Sequence, residues 1–137
     1  MQSAPFYSDV ADGPEHGRAF WLRTTDGVRI RIGLWTPSGA SKGTVLLFPG
    51  RTEYTEKYGR AAADFARRGY ATLAVDWRGQ GLADRLLDDA MSGYVQVFDD
   101  YQTDVEASLR RLICLICHGP CTFWGIPWAA VSGYGPR

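Results

Sequence analysis

Two short loops and one cysteine cluster hold the residue types that could do chemistry. The first loop, Pro49-Gly50-Arg51-Thr52-Glu53, follows Thr44-Val45-Leu46-Leu47-Phe48, an unbroken apolar run rich in strand formers. The second, Asp76-Trp77-Arg78-Gly79-Gln80-Gly81, follows the apolar run Tyr70–Val75. A buried strand, a tight glycine turn and then a helix place backbone N–H groups at the carboxyl end of a sheet, where open α/β folds put their ligands. The cluster is Cys114-Leu115-Ile116-Cys117-His118, which fits the c-type haem attachment pattern. Adding Cys121 makes a conceivable four-ligand metal set. Haem attachment needs export, and the N-terminal residues Met1-Gln2-Ser3-Ala4-Pro5 have neither the basic start nor the apolar core of a signal peptide. The expectation is therefore no cofactor.

Those loops need elements to hold them. Thr44–Phe48 shows no polar alternation, as expected of a strand covered on both faces of a parallel sheet. Glu56 to Arg68 reads as a helix, with Tyr58, Ala61, Ala62, Phe65 and Ala66 at helical spacing and Gly69 as its stop. With Tyr70–Val75 this makes a βαβ unit with parallel strands. Upstream, Arg18–Thr25 and Val28–Trp35 flank Asp26-Gly27, a strong hairpin signal. In the second of these runs Val28, Ile30, Ile32 and Leu34 alternate with Arg29, Arg31 and Gly33, which predicts outward arginines and a wet antiparallel edge. Met1–His16 reads as an irregular, flexible arm. Leu82–Ser92 reads as a loop with at most one helical turn, and Val95–Leu112 as a second helix. The fold class expected is α/β, an antiparallel hairpin followed by a parallel βαβ unit.

Composition narrows the function. The chain has 137 residues, 45% hydrophobic and 22% charged, the balance of an ordinary globular domain or part of a larger one. Its fifteen acidic and fifteen basic side chains cancel. A nucleic-acid partner therefore lacks electrostatic support. No apolar stretch is long enough to span a bilayer, so no stable membrane anchor is expected, and a cytoplasmic location is.

With these elements placed, the sequence resembles the α/β-hydrolase family, in its lysophospholipase and monoacylglycerol-lipase-like branch. The residues carrying the resemblance are Leu46 to Glu53, Tyr58, Gly69-Tyr70, Asp76 to Gly81, and Phe98-Asp99-Asp100-Tyr101 with Asp104. It covers residues 17–112. The resemblance implies hydrolysis of carboxylic esters, lysophospholipids or monoacylglycerols, by a serine nucleophile with a histidine base and an acid. It implies that the Arg51 N–H is half of an oxyanion hole. Pro49 and Gly50 shape that loop, although the family usually has His-Gly there. It gives Asp76, Arg78, Gly79 and Gly81 a structural turn, and not Asp76 the role of catalytic acid, because the family's acid comes much later. His16 reads as a surface residue.

The family also needs Gly-x-Ser-x-Gly after the next strand, and this sequence has none; Ser132-Gly133 lacks the preceding glycine. All three cysteines, and only one charged side chain (Arg137), fall between Ile113 and Arg137. Read one base earlier, the codons of this tail force Leu at Phe123-Trp124, Gly at Trp124-Gly125 and Gly at Trp128-Ala129. They permit His, Ser and Met between the two glycines. The expectation is that residues 113–137 are a frameshift product, residues 17–112 a truncated hydrolase domain, and the chain inactive. A bare apolar edge on Thr44–Phe48 and poor folding would follow. The alternatives are a non-catalytic α/β binding module, or a haem or metal protein using Cys114, Cys117 and His118.

Overall fold

The computed structural model describes residues 2–89, 92–116 and 123–125. One six-stranded sheet runs in the order β1-β2-β3-β5-β4-β6. Its strands are β1 (Ser3–Ala4), β2 (Arg18–Arg23), β3 (Arg29–Trp35), β4 (Thr44–Leu47), β5 (Ala71–Asp76) and β6 (Phe123–Gly125). The β2–β3 hairpin is antiparallel, and Gly27 at its turn has φ +88°. β4 and β5 pair in parallel, joined by a 3-10 turn at Thr55–Tyr58 and helix α2 (Gly59–Arg67). The expected single helix thus splits in two, and Gly69 beyond it has φ +87°. α1 is a helical turn at Ser8–Ala11, and α3 spans Asp100–Ile116.

The two faces of the sheet carry separate cores. Leu22, Ile30, Ile32, Leu46, Leu73, Val75 and Trp77 pack with Tyr101, Val105 and Leu109 of α3. Trp35, Val45, Leu47 and Ala74 pack with Ala62 and Phe65 of α2. Helices on both faces explain why β4 and β5 read as continuous apolar runs: both of their faces are dry.

Four expectations are corrected. β3 is an inner strand, antiparallel to both β2 and β5, and Arg31 is only 1% exposed. Period-two alternation reports which face a residue occupies, and here the second face is covered as well. Residues 1–16, read as irregular, hold β1, whose Ser3 and Ala4 pair with Phe20 and Ala19, and α1. Phe6 meets Trp35 edge-on at 5.7 Å between ring centroids, a contact worth about 0.5–1.5 kcal/mol beyond its burial. The second helix starts at Asp100 rather than Val95, because the Asp100 carboxylate accepts the Val97 N–H at 3.3 Å and holds the preceding turn. It continues past residue 113 to Ile116. Finally, β4 is not a bare edge: β6 lies parallel beside it, with Thr44 opposite Phe123 and Leu46 opposite Gly125. Among the described residues of 82–92 there is no helical turn.

Candidate active site

The first loop is built around Glu53. Its carboxylate accepts the Gly50 N–H at 3.1 Å, the Lys57 ammonium at 2.5 Å and the Tyr58 hydroxyl. Lys57, and then Tyr58, hold the Glu53 carboxyl below its usual range, while burial and then Glu53 push the Tyr58 phenol up. Thr52 sits at φ +67°, a left-handed conformation that costs a β-branched residue roughly 1–2 kcal/mol. The Gln80 amide oxygen holds it there, accepting the Thr52 N–H at 2.6 Å. The N–H groups of Gly50 and Thr52 are therefore both used. Among the described residues no acceptor takes the N–H of Arg51, which lies between them. The Arg51 guanidinium reaches away to the Gly93 carbonyl at 2.8 Å. Pro49 closes the loop's other end, its carbonyl accepting the Trp77 indole N–H at 2.8 Å.

Asp76, at the end of β5, ties both loops together. One carboxylate oxygen accepts the Thr55 N–H and hydroxyl at 2.7 and 2.8 Å; the other accepts the Leu82 N–H at 2.9 Å and Arg31 Nε at 2.7 Å. No side chain fits at Gly81. With φ +49°, a Cβ there would lie 2.2 Å from the Asp76 carboxylate. Arg31 stands directly across from Asp76 in the β3–β5 register and forks onto Glu56 at 2.8 and 2.7 Å. It also donates to the Pro5 carbonyl, and Glu56 accepts the Tyr7 N–H. Burial pulls the Arg31 pKa down, but Glu56 and Asp76 outweigh it and the net shift is upward.

Arg78 anchors the second loop from beneath. Its guanidinium pairs with Asp104 of α3 at 2.8 Å and with Asp26 of the hairpin turn at 2.7 Å, and also meets Thr103. The hydrogen bonds from Arg78 bring the Asp26 carboxyl down to about 2, whereas burial, against the pull of Arg78, raises that of Asp104.

Two clefts flank Gln80. The smaller, about 140 Å³, is lined by Pro49, Arg51, Trp77, Val95, Phe98 and Tyr101. The larger, about 360 Å³, lies on the far side, against Thr52, Tyr54, Leu82 and Arg85. Of these two clefts, only the smaller is lined by Arg51.

Each loop residue singled out from sequence lies at this carboxyl edge. Arg31, Thr55 and Glu56, which hold the loops, were not singled out, and Gln80 was named within the second loop without a role of its own. The one available signal was Arg31 itself, one of two arginines in a strand whose other residues carry no charge. His16 is exposed. Cys117, His118, Cys121 and Ser132 lie outside the described residues, and of Cys114 only the backbone, within α3, is described. Among the described residues no group of His, Cys, Asp or Glu could hold a metal, and no helix is long and apolar enough to cross a membrane.

Comparison with known proteins gives consistent likenesses. Lysophospholipase L2 of Escherichia coli is 43% identical over 63 residues, which is 46% of this chain and 18% of that protein. Monoacylglycerol lipase of Mycolicibacterium smegmatis is 38% identical over 55 residues, 40% of this chain and 20% of that protein. The chain thus spans about a fifth of the length of these relatives. Among solved structures, a cold-adapted esterase from an Arctic intertidal metagenomic library is 27% identical with a TM-score of 0.61, covering 80% of this chain and 49% of that one. The serine aminopeptidase S33 family matches residues 39–125, both loops and the strands that carry them, and the chain belongs to that family of α/β-hydrolases.

Proposed function

We propose that this chain is the oxyanion-hole half of a carboxylic ester hydrolase whose substrates are lysophospholipids or monoacylglycerols. The observation that carries the reading is the pattern of N–H use in the first loop. Gly50 and Thr52 spend their donors within the protein, and among the described residues the Arg51 donor has no acceptor. Such a donor, fixed at the end of a parallel strand, suits the negative oxygen of a tetrahedral intermediate. Removing one such donor from a working hydrolase typically costs about 10²–10³ in kcat. The apolar cleft formed beside Arg51 by Trp77, Val95 and Phe98 suits an acyl chain. The lipid class is supported by the names of the relatives.

The sequence holds no Gly-x-Ser-x-Gly, so the chain stabilises charge but supplies no attacking serine. The purified chain is therefore expected to release no fatty acid from lysophosphatidylcholine or monoacylglycerol and to resist labelling by a fluorophosphonate. Labelling at a single serine would overturn the assignment of these residues to the charge-stabilising half alone.

A further inference from the structure

We propose that the missing nucleophile is encoded in the same stretch of gene, one base out of frame, and that β6 marks where it belongs in the sheet. This rests on the ester-hydrolase reading above. Two independent lines meet at one place. The first is the genetic code. Read one base earlier, the codons of Phe123, Trp124 and Gly125 can yield only Leu and then Gly. Those of Trp128 and Ala129 can yield only Gly. Between the two forced glycines lie three hidden positions, so the frame imposes Gly-x-x-x-Gly without choice. The middle one straddles Ile126 and Pro127 and can be only Ser, Pro or Thr.

The second line is strand register. Thr44, Val45 and Leu46 of β4 lie opposite Phe123, Trp124 and Gly125 of β6. The first forced glycine straddles Trp124 and Gly125, at the end of β6 and across from Leu46 of β4, two residues before Phe48. Adjacent strands are about 4.8 Å apart. Phe48 leads directly into Pro49, Gly50 and the Arg51 N–H, which has no acceptor among the described residues. A serine on a strained strand-to-helix turn, next to a donor at the end of the neighbouring strand, is the arrangement acyl transfer requires. The genetic code and the pairing of β6 with β4 are independent of each other, because β6 pairs through residues of the present frame. The restored site would take carboxylic esters of the class proposed above.

Reading the coding DNA tests this at single-base resolution. Ile126 has three possible codons. Only ATT places T before the two cytosines of the Pro127 codon and so spells serine; ATT is expected, and ATC or ATA overturns the proposal. The family assignment would survive that result, because it rests on residues 39–125 as they stand. If ATT is found, a frame-corrected gene is expressed and its product treated with a fluorophosphonate. Labelling that disappears when the restored serine is changed to alanine is expected. A soluble product with a cooperative unfolding transition that takes no label would also overturn the proposal. A frame closed by a stop codon just past the pentad would do the same at the DNA level.

Discussion

The two buried arginines, Arg31 and Arg78, hold the two loops by different means. Arg31 is sealed with both of its carboxylates: Arg31, Asp76 and Glu56 are 1%, 0% and 2% exposed. The two carboxylates also accept neutral donors from Tyr7, Thr55 and Leu82. Arg78 is equally buried at 2%, but only Asp104 is buried with it; the Asp26 side chain is 40% exposed. Arg31 therefore joins β3, β5, the 3-10 turn and the N-terminal segment with almost no exposed surface on any of the three charged groups, whereas Arg78 pins one loop to one helix and reaches solvent through the hairpin turn. Sealing a charge makes its loss expensive, because the partner left behind has no water to turn to.

That contrast can be broken by experiment. Arg31→Met should be the most damaging change, stranding two buried carboxylates and costing about 3–5 kcal/mol. Urea unfolding followed by tryptophan fluorescence reads this, and a loss below about 1 kcal/mol would show that the trio is not sealed. Arg78→Met should cost less, roughly 2–3 kcal/mol, because Asp26 can be hydrated and Asp104, its pKa already raised, can take a proton. Equal losses at the two sites would mean that Arg78 is held as tightly from water as Arg31.

The smallest effect should come from Asp26→Asn, under about 1 kcal/mol at neutral pH, the range of an ion pair with one member in water. Its sign with pH is fixed. The folded carboxyl lies at about 2, below its ordinary 3.8, so its contribution is present above about pH 4 and lost as pH falls through 2. Wild type and variant should converge in urea midpoint across that window. Asp104 runs the other way: its raised pKa makes ionisation a cost as pH rises, so wild-type Asp26 is the group whose removal flattens the acid limb. A difference unchanged from pH 5 to pH 2 would mean that Asp26 does not feel Arg78.

Much of this was legible in the chain. Asp26-Gly27 announced the hairpin, and the apolar run of Thr44–Phe48, the helical spacing from Tyr58 to Ala66 and the apolar run Tyr70–Val75 announced the βαβ unit. These signals are local: turn geometry and side-chain period act within a few residues. The loop residues were legible because glycines mark where a backbone must bend. The helix start was misplaced because a turn held by the Asp100 side chain looks, in spacing, like the helix it precedes.

Arg31 shows where such reading stops. By itself the order of residues established strand against helix, the hairpin, the parallel pair and the two loops that face one edge. It also established that no serine elbow is present in this frame. Only the packed molecule established that β3 is an inner strand, that Arg31 is sealed against Asp76 and Glu56, and that the N-terminal residues close the sheet's far side. It alone left the Arg51 N–H without an acceptor among the described residues and brought β6 beside β4. The reason is range. Period and turn chemistry are set by adjacent residues, whereas burial and ion pairing depend on which distant segments, 25 and 45 residues away for the partners of Arg31, arrive to cover a face.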